Sequence, residues 1–419
     1  MISDDKRFLT ELFHSAVAAA DPQKALGAHL PIPPRGRTVV IGAGKGVAQL
    51  ASAFEKLWDA PVEGVVVTRY GYAMPCDHIK VMEAAHPVPD AAGLEASKAL
   101  FEAVRGLTKD DLVVALICGG GSALLPAPPG DLTLEEEAAM NKALLASGAP
   151  ISVMNAIRKQ VSAIKGGRLA AACYPARLVT LVVSDIPGDD SAQVASGPTI
   201  PDAMDRQSAR NLAKVWNIGL PERIEAWLAG DQGLAPKPED AVFAGNEVRV
   251  IASARLSLEA AAGRAEAMGV PAVILSDAME GEARDVARVH AAMAREIAAR
   301  NRPFTRPVVM LSGGETTVTI KGTGRGGRNT EFLLSLALAA EGVPFAALAA
   351  DTDGIDGSED NAGAFADGHS MQRLREMGMD PFSLLARNDA WSAFNQLGDL
   401  FIPGPTGTNV NDFRAILIR

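Results

Sequence analysis

A chain of 419 residues with 48% hydrophobic and 21% charged side chains has an ordinary folded composition and is too long for one domain of usual size. Its 40 basic and 50 acidic side chains leave a net charge of −10, with no long Lys/Arg block, so nucleic acid and anionic membranes would meet net repulsion. Three widely spaced cysteines without a CxxC pair exclude a disulfide scaffold and a cysteine-based zinc site.

The first 26 residues are acidic and amphipathic, with no basic segment leading into a long apolar one, which is not the pattern of a signal peptide. The longest apolar runs, at 178–183 and 346–350, are of strand length and too short to cross a bilayer. The expectation is a soluble, cytoplasmic protein. From Thr38, apolar β-rich runs (TVVIGAG, GVVVTRY, IKVMEA, DLVVALICGGGS, RLVTLVVSDI) alternate with helix-like segments. Continuous apolar runs, rather than in–out alternation, suit strands covered by helices on both faces. Residues 1–240 therefore read as one doubly wound, Rossmann-like α/β domain with an N-terminal helix. A Pro/Gly/Asp-rich stretch at 228–245 reads as a linker. Residues 241–419 read as a smaller mixed α/β domain, in which LSGGETTV is a strand, a tight Gly-Gly turn and a second strand. A cleft between two such domains is the economical architecture.

Ligands of open α/β sheets bind at the C-terminal strand ends, and several strands here end in Gly-, Ser- or Asp-rich tips. Gly42-Ala43-Gly44-Lys45-Gly46 opens a helix, where backbone N–H groups and the helix dipole favour an anion. It is neither a P-loop, since Gly follows Lys45, nor a full dinucleotide fingerprint, since Val47 stands at the third glycine. A tight turn with a solvated Lys explains it equally plainly. Gly119-Gly120-Gly121-Ser122 follows another apolar strand, and Ser122 is placed to cap a helix and donate to phosphate. GxSxG nucleophile geometry fails, because Leu124 replaces the second Gly.

Arg158 and Lys165, seven apart, would share a helix face and clamp a carboxylate or phosphate, although a solvated face fits as well. Asp185, Asp189 and Asp190 at a strand tip suit Mg²⁺, with turn formation as the plain alternative. In the second half, Glu315 sits between strands. The Gly-rich loop carrying Arg325 and Arg328 opens a helix and reads as an anion site. Asp351, Asp353, Asp356 and Asp360 form an acidic loop without EF-hand spacing, and Asn409 lies in a Gly/Thr turn. No HxxxH pair occurs, and His86 before Pro87 reads as a turn residue rather than a base. Anion cradles, basic groups and clustered carboxylates together are what phosphoryl transfer requires.

The segments VIGAGKG (40–46), CGGGSALLPAP (118–128), NAIRKQVSAIKGGRLA (155–170), VVSDIPGDD…VASGPT (182–199), LSGGETTV (311–318), GRGGRN (324–329), ADTDGIDGSEDNAGA (350–364) and GPTGTNVND (404–412) span the chain in order. In this set the sequence closely resembles the class II glycerate 2-kinase family, whose C-terminal part is called the MOFRL domain. The resemblance implies ATP- and Mg²⁺-dependent phosphorylation of D-glycerate at its 2-hydroxyl, in a cleft between two α/β domains. It places the family's catalytic Lys on Lys45 and its essential Arg on Arg328. On the residue readings above, nucleotide contacts are expected at Gly42, Gly44, Gly119, Gly120, Gly121, Ser122 and Asp189. Substrate contacts would fall on Arg158, Lys165, Glu315, Arg325, Asp351 and Asn409, and the metal on Asp185, Asp189 and Asp190. Gln160 is a departure, since many relatives carry His after the Arg-Lys pair, and a role of that His in substrate choice would leave the acid acceptor open. The expected partners are small molecules alone, with a homodimer admitted. Some family members carry the name hydroxypyruvate reductase, which makes an NAD(P)H-dependent reductase the alternative enzyme. A small-anion sensor is the alternative outside enzymes.

Overall fold

The computed structural model describes residues 3–419, apart from the side chain of Pro187, and divides the chain into two compact units. One comprises residues 22–251, and the other joins the N-terminal helix Ser3–Ala19 to residues 252–419.

The first unit is built on a six-stranded sheet of β1 (Thr38–Ala43), β2 (Glu63–Arg69), β3 (Ile79–Ala84), β4 (Leu112–Cys118), β5 (Arg177–Val183) and β6 (Glu247–Ala252), in the order β3-β2-β1-β4-β5-β6. The pairs from β3 across to β5 are parallel. Every residue of β1 and β4 is buried, as their unbroken apolar sequences require. Chain order reverses between β1 and β4, which puts the turns after these two strands beside the crevice where such sheets bind ligands. Helix starts on this unit have local causes. Asp90 accepts from Gly93 N at the head of Ala91–Ala103, and Thr133 with Glu136 forms a capping box for Leu134–Ala146.

The second unit holds β7 (Ala272–Glu282), β8 (Val308–Thr317), β9 (Phe345–Asp351), β10 (Gly363–Asp367), β11 (Leu400–Phe401) and β12 (Asp412–Ile418), in the order β11-β10-β9-β12-β8-β7. This sheet is mixed, because β7 runs parallel to β8 while the other pairs are antiparallel. Two apolar clusters cover it. One contains Phe332, Leu336 and Phe394, and the other contains Phe8, Leu12, Phe13, Leu258 and Phe413.

Four expectations are corrected. The N-terminal helix belongs with the second unit, because its apolar stripe packs on Leu258 and Phe413 and Ser257 Oγ donates to Ala16 O at 2.8 Å. The boundary at 240 moves to 251, because VRVIA adds an edge strand to the first sheet. Gly313-Gly314 does not turn: β8 runs through it, and a Cβ on Gly314 would stand 2.3 Å from Met279 backbone across the sheet. Finally, residues 151–173 form two helices, Ile151–Gln160 and Arg168–Cys173, so Arg158 and Lys165 share no helix face.

Candidate active site

In the first unit, the turn after β1 is tied to both neighbouring strands. Gly44 N donates to Val67 O at 3.1 Å, and Lys45 N donates to Gly119 O at 2.9 Å. Gly42 and Gly44 are needed for this close approach, since a Cβ would stand 2.4 Å from Leu116 O and 2.6 Å from Cys118 respectively. Gly120 takes φ +79°, and the aliphatic stem of Lys45 and the Nε2 of His86 lie directly over it. Gly119 is shaped by Asp185, whose carboxylate occupies the space a Cβ would need, and Gly121 is packed against Ala195. The glycine run, Lys45, His86 and Asp185 are thereby brought together.

Charge partners separate the cations of this unit by role. Lys45 is half-buried, and among the described residues its ammonium is engaged in no ion pair. Lys159 is buried against Asp202, and Lys165 is buried against Glu137 at 3.1 Å while also donating to Leu125 O at 2.7 Å. Lys165 is therefore an internal counter-ion and not a ligand clamp, which corrects its assignment to substrate. Arg158 is half-buried and donates to Asn141 Oδ1 and Asn155 Oδ1. Gln160 is buried, and its amide donates to Met204 O at 2.7 Å, so the departure from the family pattern lies in packing. Burial, with Lys45 and Arg69 adding repulsion, pushes the His86 imidazole down to about 4, so it is neutral at pH 7.

Ser122 caps nothing: the short helix Gly121–Leu124 has Gly120 at its N-cap, and the Ser122 hydroxyl lies 2.8 Å from that of Ser196. Asp189 adopts a left-handed φ of +56°. Asp190 is exposed and accepts from Ala192 N and Gln193 Nε2. Among the described residues, no three His, Cys, Asp or Glu side chains gather as a metal-holding group.

In the second unit, Arg328 heads the helix Arg328–Ala339 and is held on all sides. Its Nε meets Asp412 at 2.7 Å, Nη1 meets Glu315 at 2.8 Å and Nη2 meets Asp351 at 2.7 Å. Burial works against its charge, but Asp412, Asp351 and Glu315 more than offset this and hold the guanidinium protonated. Burial and the neighbouring Asp353 push the Asp351 carboxyl up, with Arg328 opposing them. Only Glu315 is substantially exposed among the three carboxylates, so it is the partner an incoming anion can displace. Arg328, Asp351, Thr316, Glu331 and Asn388 line a cavity of about 320 Å³.

The helix N-terminus itself is already occupied. Asp356 accepts from Asn329 N, Thr330 N and Thr330 Oγ1, each at 2.9 Å, so the protein's own carboxylate fills the expected anion site. Burial pushes Asp356 up to about 6, against the pull of those donors. Arg325 is exposed and stacks on Trp391 at 3.9 Å. Asn409 is exposed, and its side chain accepts from Asn411 N. Sequence reasoning left His86, Asn155, Ser196 and Asp412 without a site role. For Asp412 the available signal was an acid and a base, Asp412 and Arg414, at the head of a strand that ends apolar, DFRAILI.

The domain of unknown function DUF4147 matches residues 8–229, and the MOFRL family matches residues 308–412. A D-glycerate 2-kinase of Thermotoga maritima is 37% identical over 99% of this chain and 98% of its own. The crystal structure of a Thermotoga maritima glycerate kinase superposes with a TM-score of 0.91 at 35% identity, covering 99% of each chain. The chain belongs to the glycerate kinase family. A protein of Agrobacterium vitis, provisionally named a hydroxypyruvate reductase, is 50% identical over 99% of this chain and 94% of its own. The glycerate kinase fold accounts for both units, from the parallel first sheet to the mixed second one. Among the described residues of this family member, no helix is long and apolar enough to cross a membrane.

Proposed function

We propose that this protein is a D-glycerate 2-kinase, transferring the terminal phosphoryl group of ATP to the 2-hydroxyl of D-glycerate to give 2-phosphoglycerate and ADP. The observation that carries this reading is likeness over the whole chain to proteins named glycerate kinases, in sequence and in structure. The charge arrangement supports it. Phosphoryl transfer is catalysed mainly by positioning and by positive charge on the migrating group. Lys45, on a glycine turn and free of an ion pair among the described residues, supplies such a charge. Arg328, on the second unit, is a further cation whose exposed partner Glu315 an anion can displace, while buried Asp412 and Asp351 keep its plane fixed. Neutral His86 beside Lys45 adds no competing cation.

Asp185 and Asp189 are the carboxylates proposed to hold Mg²⁺. The fit rests on Asp185 lying against Gly119 at the β4 tip, and Mg²⁺ commonly needs only one or two carboxylates besides phosphate oxygens. Bound there, the ion would neutralise phosphate charge. Cys76, Cys118 and Cys173 are free thiols, which suits the reducing cytoplasm proposed as its compartment.

The relative named for hydroxypyruvate reduction supports a second reading. Against it, Val47 replaces the third fingerprint glycine, and β2 ends in Arg69, whose guanidinium stacks on Tyr72 at 3.6 Å, instead of a ribose-binding acid. Parallel assays separate the two readings. D-glycerate, ATP and Mg²⁺ should yield ADP, while hydroxypyruvate with NADH or NADPH should leave the cofactor unoxidised. The opposite pattern would establish the reductase.

A further inference from the structure

Behind the glycine run, a chain of polar side chains determines where each proton points. Arg158 has only donors, and its Nη1 reaches Asn155 Oδ1 at 3.1 Å. The Gln193 carbonyl only accepts, and it takes Asn155 Nδ2 at 3.1 Å. The Asn155 amide is thus oriented from both ends. Its Oδ1 must accept from Ser196 Oγ, which lies 3.0 Å away. A hydroxyl carries one proton, and fully buried Ser196 directs its own to Asn155. In the 2.8 Å contact with Ser122, Ser196 is therefore the acceptor, and Ser122 donates its only proton inward. What the half-buried Ser122 offers beyond this chain is lone pairs alone.

The backbone is strained to hold this relay. Ala195 and Ser196 are consecutive non-glycine residues at φ +52° and +59°, an arrangement found mainly where function requires it. Ala195 packs on Gly121, next to Ser122, so the strained segment and the glycine run brace each other.

We propose that Ser122 accepts a hydrogen bond from a ligand hydroxyl at the glycine run, with Ser196, Asn155 and Arg158 as positioning residues that set this polarity. The proposal rests on the kinase reading and deepens it. Phosphate oxygens are acceptors at neutral pH, so Ser122 does not donate to phosphate as its sequence context suggested. A hydroxy acid and a nucleotide ribose both carry suitable hydroxyls. The shared chemistry is a neutral hydroxyl donor.

Equilibrium binding by calorimetry tests this without turnover, so a failed kinase assay counts against the activity and not against this contact. One arm uses D-glycerate and analogues with either hydroxyl replaced by hydrogen or by fluorine. The other arm uses ATP and its 2′- and 3′-deoxy and deoxyfluoro forms. For one hydroxyl, both replacements should weaken binding by about tenfold in the wild type, because fluorine cannot donate. The arm in which this occurs identifies the source. In Ser122→Ala that penalty should shrink to about twofold or less. In Ser196→Ala the Ser122 proton is released, and the fluoro form should gain on the hydrogen form. Asn155→Asp, which keeps an acceptor for Ser196, should retain the wild-type order, whereas Asn155→Leu should lose it. Fluoro analogues binding as tightly as their parents overturn the proposal. So does a penalty unchanged by Ser122→Ala, or the absence of any hydroxyl dependence in both arms. Should Ser196→Ala or Asn155→Leu fail to fold, Ser122→Ala and Asn155→Asp still decide.

Discussion

Replacing Arg328 with Lys keeps the charge and removes the planar fork, so it separates what each does. Three guanidinium nitrogens meet three different carboxylates at 2.7–2.8 Å. A single ammonium nitrogen at the end of a Lys cannot occupy all three positions. Asp412 would retain Asn329 and Arg414, whereas buried Asp351 would be left with Asp353 N alone. One buried charge-assisted hydrogen bond is worth about 1.5–3 kcal/mol. The Glu315 contact, with the Glu side chain 53% exposed, adds at most about 1 kcal/mol after solvent screening. The expected loss is about 2–3 kcal/mol, or roughly 5–10 °C in the melting of the second unit. Catalysis should suffer far more if Arg328 has the transition-state role proposed for it, since such an arginine contributes about 10³-fold or more to kcat. Thermal unfolding by circular dichroism and kcat from ADP release should be measured on the same preparations. Arg328→Met should melt lower than Arg328→Lys, yet both should be strongly impaired in kcat. An Arg328→Lys enzyme within threefold of wild type would refute the fork argument and leave charge alone as the requirement. Activity restored by cooling would refute it in another way, by assigning the loss to folding.

Lys45→Met should reduce kcat by orders of magnitude with little change in melting temperature, since among the described residues its ammonium has no ion-pair partner to lose; a normal kcat would remove it from catalysis. Lys165→Met should cost about 3–5 kcal/mol in unfolding, because Glu137 is left charged and buried, and adding Glu137→Leu should recover much of it. Near-normal stability with weakened substrate binding would restore Lys165 as a ligand contact. Buried His290, held by Val286 O and Ser312 Oγ, has its imidazole lowered from 6.5 to about 4 by burial. The unfolded chain then binds the extra proton, so stability is full above pH 6.5 and falls by about 1.4 kcal/mol per pH unit towards pH 4. Denaturant titrations across that window should show a shallower slope in His290→Asn. An unchanged slope would mean that other groups carry the acid sensitivity. Asp189→Asn should raise the Mg²⁺ concentration needed for half-maximal rate; an unchanged requirement at normal rate would direct attention to Asp351 and Asp353.

Much of the first sheet was legible because strands buried on both faces announce themselves as unbroken apolar runs, as in VVALIC. The glycine turns were equally visible, and Lys45, Gly119–Gly121 and Asp185 do come together. What could not be read was the identity of long-range partners. The Phe8–Leu12–Phe13 stripe predicts a packed helix, but nothing local says that it packs over 240 residues away. Lys165 looks like any basic residue until Glu137 is found facing it in the interior. The Gly-rich loop before Arg328 has the residues of an anion cradle, yet Asp356 fills it, a contact spanning 26–27 positions. Gly313-Gly314 carries turn chemistry locally, yet close contact with β7 keeps it within β8, with Gly314 at a positive φ.

The oxygen proposed to receive the phosphoryl group is that of the glycerate 2-hydroxyl. Incubating the purified protein with D-glycerate, ATP and Mg²⁺, then recording proton-coupled phosphorus NMR of the product, reads this directly. Phosphate coupled to the single C2 proton, with one ADP formed per product, is the predicted result. Phosphate coupled to the two C3 protons, or no phosphorylated acid, would contradict it.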